Sequence, residues 1–180
     1  QEKFKGQFGT SKSDFYESVG YTDYSLKRFF ESIKNKPWFH NTLFVITADH
    51  VSHLAKLQNA KPLKNNQIPI LFYDPSTKGN IIHTKRIQQI DILPSVLNYL
   101  NYTNPFISFG NSYHSEDHLV INLINEKYHC IVDDYYFVFD GHAIIELYDL
   151  NKDQDLRQNL VSLEINTLHM LTNKIKAYLQ

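Results

Sequence analysis

The 180-residue sequence has a single cysteine, Cys130, and that scarcity excludes two kinds of protein. One thiol cannot build an intrachain disulfide framework or supply a CxxC metal site. It leaves the compartment open, because disulfide-free proteins also occur outside the cytoplasm. Glycine is sparse too, six residues against twelve Tyr and twelve Phe, which argues for packed sheet and helix over disorder. Charge of one sign is lacking: the formal net charge of −1 gives no field for nucleic acid or an anionic membrane surface. No apolar run approaches the roughly 20 residues that span a bilayer, and no stretch reads as a signal peptide. Gln1 stands where a starting Met would be, ahead of the polar stretch Glu2–Gly6, so the chain is expected to be a piece of something longer.

Apolar residues at 42% and charged residues at 21% fit an ordinary globular domain, and 180 residues suffice for a real core. Residues 1–20 are polar and turn-rich and read as loop. Leu26, Phe29, Phe30 and Ile33 then fall on one face of a helix, with Thr22 or Asp23 as cap and Asn35-Lys36-Pro37 as stop. Thr42–Thr47 and Ile68–Tyr73 are apolar without alternation, as strands buried on both faces of a parallel sheet would be. Pro69 belongs at the start of its strand or on an edge. Asp91–Leu100 reads as a helix capped by Asp91, with Pro94 in its first turn. Four short runs follow, His118–Asn122, Tyr128–Val132, Tyr135–Phe139 and Ile144–Tyr148. Turn residues such as Asp133-Asp134 and Asp140-Gly141 separate them, which predicts an antiparallel meander. Leu160–Leu179 closes the chain with helical spacing.

The chemistry-bearing pair is Asp49-His50, directly after the first apolar strand. Sites in α/β sheets form at the carboxyl ends of strands, where loops converge on a ligand. A carboxylate beside an imidazole offers a hard oxygen and a borderline nitrogen, a set suited to zinc or manganese. Adjacent strand residues point to opposite faces, so joint ligation requires the chain to leave the strand here. An isolated Asp-His pair is more often structural, and its surroundings decide the matter.

Those surroundings are Tyr21–Ile33, then Asn41–His50, then Ile68–Tyr73, then Gln89–Leu97, with Phe109-Gly110-Asn111-Ser112 after them. In this order they resemble the C-terminal half of sulfatase-like enzymes of the alkaline phosphatase superfamily. The likeness is to the lipoteichoic acid synthase and phosphoglycerol transferase branch, and covers about residues 15–115. Tyr148-Asp149-Leu150 is similar in style. The resemblance implies that Asp49 and His50 are metal ligands, with manganese as the expected ion and zinc, calcium or magnesium as alternatives. It implies a phosphate- or sulfate-ester substrate, including a phospholipid head group, and a Thr or Ser nucleophile upstream that has no counterpart here. It implies a parent anchored in a bacterial membrane and facing outward. Val51 departs from the small residue common after the His, and His53 is a candidate substrate-binding residue.

The expected fold is α/β. It comprises the C-terminal part of an alkaline-phosphatase-like mixed sheet flanked by helices over residues 1–115. An antiparallel β subdomain with a terminal helix follows over 116–180. Two functions compete: part of a metal-dependent phosphoester or sulfoester enzyme that needs the missing N-terminal half of its catalytic domain, or a non-catalytic binding or scaffold module derived from that fold. A phosphoethanolamine transferase is disfavoured by the single cysteine. The remaining histidines show no metal spacing, and Asn151–Asp155 lacks the Gly and terminal Glu of a calcium loop.

Overall fold

The apolar stripe of Leu26, Phe29, Phe30 and Ile33 belongs to helix α1, Asp14–Ile33, in a computed structural model that describes residues 14–51, 62–77 and 85–180. The helix starts earlier than its turn-rich sequence suggests, so 14–20 are helical and not loop. Thr22 is therefore interior and caps nothing. Its hydroxyl donates to Ser18 O at 2.9 Å, and Ser25 donates to Tyr21 O at 2.8 Å, so the polar side chains satisfy themselves one turn back. Pro37 forces the stop, and Lys36 N closes a turn on Ile33 O at 2.8 Å.

The chain divides into two compact units, 1–81 and 82–180. In the first, β1 (Phe44–Thr47) pairs with β2 (Ile70–Tyr73), Phe44 opposite Tyr73 and Thr47 opposite Ile70. The pair is antiparallel and partly exposed, where a parallel, doubly buried arrangement was expected. Unbroken apolar character records that both faces want cover; it does not fix the direction of the neighbouring strand. Pro69 sits just before β2, as its missing donor requires. One face of the pair, Phe44 and Tyr73, packs under α1: the Phe30 ring lies 5.1 Å from Phe44 and 5.5 Å from Tyr73, both edge-on. Buried Phe39 tilts against Phe44 at 5.8 Å. Such contacts contribute about 0.5–1.5 kcal/mol each beyond burial.

The second unit opens with a 3-10 turn, Gln89–Asp91, running into α2, Ile92–Tyr99. Asp91 occupies the capping position, but its carboxylate does not cap α2. Oδ2 accepts from Gln88 N at 2.7 Å and Oδ1 from Asn111 N at 2.8 Å. Ser95 continues the lock, donating to Asp91 O at 2.6 Å and accepting from Tyr113 N at 2.8 Å. Gly110 lies so close that an added Cβ would stand 2.3 Å from Ile90 O and 2.6 Å from Asp91 Oδ1. The Gln89–Leu97 and Phe109–Ser112 motifs are thus two halves of one joint.

The predicted meander forms in sequence order: β3 (Val120–Ile124), β4 (Lys127–Val132), β5 (Tyr135–Phe139) and β6 (Ile144–Asp149). Asn125 and Glu126 both take positive φ (50° and 63°), matching the twist of a two-residue hairpin. Gly141 supplies φ 97° in the β5–β6 turn, where Asp140 Oδ1 accepts from His142 N and Ala143 N, each at 2.8 Å. One sheet face carries Cys130, Val132, Phe137 and Leu147, sealed by Leu171 and Ile175 of helix α3, Ile165–Leu179. Residues 160–164 form turns ahead of that helix.

Side-chain amides bond to both outer strands. Gln88 Nε2 donates to Leu119 O at 2.8 Å, and its Oε1 accepts from Ile121 N at 2.9 Å. Asn159 Nδ2 donates to Ile145 O at 3.2 Å, and its Oδ1 accepts from Leu147 N at 3.1 Å.

Candidate metal centre

Thr47 ends β1, and its hydroxyl donates to Pro69 O at 2.9 Å, tying the strand's exit to the start of β2. The backbone then bends at Asp49 and His50, so two neighbours that a strand would send apart can converge. Asp49 Oδ1 accepts from His50 N at 2.8 Å, while Oδ2 lies 3.4 Å from His50 Nε2. That separation is long for an N–H···O bond. His50 Nδ1 lies 3.0 Å from Val51 O. A carbonyl only accepts, so Nδ1 is the donor of this contact, and in the neutral imidazole Nε2 then carries the lone pair.

Oδ2 and Nε2 therefore face the same space. Two protein donors on one ion at about 2.0–2.2 Å stand about 3–3.5 Å apart, and the observed spacing fits. The two side chains are open to solvent, Asp49 at 87% and His50 at 75%. Among the described residues, no group of three or more His, Cys, Asp or Glu could hold a metal ion.

His53 and His83 lie outside the described residues. The other weighed histidines fall in the second unit. His129 Nδ1 bonds Tyr136 Oη at 2.6 Å, and burial lowers its pKa from the usual imidazole value. The ring nitrogens of His118 are buried without a partner among the described residues. In the calcium-like stretch, Asp153 Oδ2 accepts from Arg157 N at 2.6 Å and Gln158 N at 2.7 Å, and Asp155 pairs with Arg157 at 3.2 Å. Those carboxylates close their own loop. The long-range bonds of Gln88, Asp91 and Asn159 have no local sequence signal, because those partners lie 12 to 33 residues away. No helix among the described residues is long and apolar enough to cross a membrane.

Comparison with known proteins bears on the same segment. The Sulfatase family model matches residues 1–102. The chain is 25% identical to lipoteichoic acid synthase 2 of Bacillus subtilis over 189 residues, 93% of this chain and 28% of the relative. It is also 25% identical to lipoteichoic acid synthase 1 of the same organism over 120 residues, 58% of this chain and 18% of the relative. The chain thus spans less than a third of either curated relative. Among solved structures, yidJ of Bacteroides fragilis, a sulfatase candidate, superimposes with a TM-score of 0.64 at 17% identity, over 98% of this chain and 46% of that one. With more than half its length matched by the model, the chain belongs to the Sulfatase family, in the lipoteichoic acid synthase branch of the alkaline phosphatase superfamily.

Proposed function

We propose that this chain is the C-terminal part of a metal-dependent phosphoester- or sulfoester-processing enzyme, of phosphoglycerol transferase type. Asp49 and His50 are two ligands of its divalent ion, manganese before zinc, calcium or magnesium. The observation that carries this is the convergence of Asp49 Oδ2 and His50 Nε2, 3.4 Å apart at the carboxyl end of β1, in a chain of the Sulfatase family. When bound, a divalent ion would polarise the ester oxygen and lower the pKa of a nucleophilic hydroxyl. This chain's own part is to present the two donors, with Val51 O fixing the imidazole tautomer and the Thr47–Pro69 bond fixing the bend. The nucleophile, a Thr or Ser, and the remaining ligands are supplied by chain outside these residues, and His53 contributes to the substrate pocket. The Sulfatase-type part runs over 1–115, with 116–180 a supporting β subdomain. The intact parent acts at the outer face of a bacterial membrane on an ester such as a phospholipid head group.

Two donors among the described residues also fit a second reading, a non-catalytic binding or scaffold module derived from the same fold. Manganese titration of the isolated chain, followed by melting temperature, separates a site from none. Two donors bind weakly, and stabilisation grows as RT ln(1 + [L]/Kd). A rise of a few degrees at millimolar manganese that disappears in Asp49→Ala supports the assignment; an equal rise in Asp49→Ala removes it. Nitrophenyl phosphate hydrolysis by the intact parent, lost in Asp49→Ala, separates enzyme from module.

A further inference from the structure

Residues 92–115 contain no Asp, Glu, Lys or Arg, although such residues make up 21% of the chain. The middle of this stretch turns large apolar side chains to water. Leu100 is 61% exposed, Ile107 93% and Phe109 81%, and Tyr102 and Phe106 are exposed with their rings edge-on at 6.3 Å. Looseness does not account for this, because both ends of the segment are fixed. At the exit of α2, Asn101 takes a positive φ of 53°. Its N–H donates to Asn98 O at 3.0 Å and Tyr102 N donates to Leu97 O at 2.9 Å, the paired bonds of a Schellman turn. At the return, Gly110 sits tight against Ile90 and Asn111 N is bonded to Asp91. Soluble folded surfaces rarely hold out so many large apolar groups in one short segment without a use for them.

We propose that residues 100–109 are a lipid-surface contact, in which Leu100, Tyr102, Phe106, Ile107 and Phe109 enter the interfacial layer of a bilayer without crossing it. The choice of occupant rests on charge. A protein partner is expected to meet a polar rim that includes charged groups around an apolar centre. Here the polar groups are Asn101, Thr103, Asn104 and Ser108, none of them ionised. Uncharged polar groups interleaved with Tyr and Phe suit the head-group layer, where aromatic rings sit between apolar and wet surroundings. Lys85 meets the segment at its base, but its ammonium donates to Tyr113 O at 3.2 Å and Ser115 O at 2.6 Å. The chain's net charge of −1 argues against electrostatic adsorption, whereas apolar insertion needs no field. The inference takes from the proposed function only its place at the outer face of a membrane, and it makes no use of the Asp49-His50 pair.

The test is flotation of the 180-residue chain with vesicles of phosphatidylglycerol and of phosphatidylcholine, in EDTA so that metal binding plays no part. Insertion of a few side chains is weak and reversible, so co-flotation is expected at about millimolar lipid, with both lipids alike and unchanged by added salt. Loss of one inserted isoleucine weakens partition by about tenfold or more, and Ile107→Asp should do so with no change in melting temperature. Ile107→Trp should bind at least as well as the unmodified chain, and Phe109→Asp provides a second weakened variant. Four results overturn the inference: no flotation of the unmodified chain, flotation that Ile107→Asp and Phe109→Asp both leave intact, flotation with phosphatidylglycerol alone that salt abolishes, or a dimer in light scattering that Ile107→Asp dissociates. Flotation with a failed manganese titration would refute the metal assignment alone, and the reverse outcome would refute the lipid contact alone.

Discussion

Replacing Gly110 by Ala should damage the second unit far more than its single added methyl suggests. The new Cβ would stand 2.3 Å from Ile90 O and 2.6 Å from Asp91 Oδ1, and the first of these is backbone that cannot swing aside. Overpacking of this kind costs about 1–3 kcal/mol. Relief requires the 109–111 segment to move off Asp91, which breaks the 2.8 Å bond from Asn111 N to a carboxylate that is 4% exposed. A hydrogen bond to a charged group contributes about 1.5–3 kcal/mol. The expected loss is about 3 kcal/mol, or roughly 12–20 °C in melting temperature for a unit of about a hundred residues. Gly141→Ala is the control: nothing lies within 4 Å of its added Cβ, and only the positive φ of 97° is strained. That should cost about 1 kcal/mol. Differential scanning calorimetry of both variants decides the matter. If Gly110→Ala melts within a few degrees of the parent, or no lower than Gly141→Ala, the joint between Asp91 and Gly110 does not hold as described.

Cys130 is fully buried, and burial pushes its thiol up to about 12, so iodoacetamide should label it only after denaturation; rapid native labelling would mean the β4 core opens. His129 has its folded pKa lowered by burial, so the unfolded chain binds the proton more readily. Stability from this group is then full above the unfolded value near 6.5 and falls as pH drops below it, levelling off below the folded value. The urea midpoint should decline from pH 7.5 to 5.5 and decline less in His129→Gln; parallel profiles would refute this. The manganese-dependent rise in melting temperature should vanish in His50→Ala as it does in Asp49→Ala, and its survival in either variant would count against joint ligation.

The meander and α1's apolar stripe were legible because their causes are local. Period-two alternation, turn pairs such as Asp140-Gly141, and the Leu26–Ile33 spacing each act within a few residues. The direction of β2 was not legible, because apolar strands demand cover without saying which way a neighbour runs. Asp91 shows the same limit from another side. Its place before α2 is visible in sequence, but its carboxylate goes to Gln88 and across to Asn111, and distance along the chain hides the second partner. At the candidate metal centre the sequence indicates the pair, and the fold adds the bend, the tautomer and the 3.4 Å spacing.

The amides of Gln88 and Asn159 carry a consequence for solubility. Each meets a C=O and the N–H two residues on, at Leu119/Ile121 and Ile145/Leu147, which are the groups an incoming strand would take. At these positions two side chains imitate peptide units, so an incoming strand finds those edge groups already taken. A Gln88→Leu or Asn159→Leu chain would keep its meander and its hydrophobic core but regain a sticky margin. Its failure would be seen as fibrils on storage.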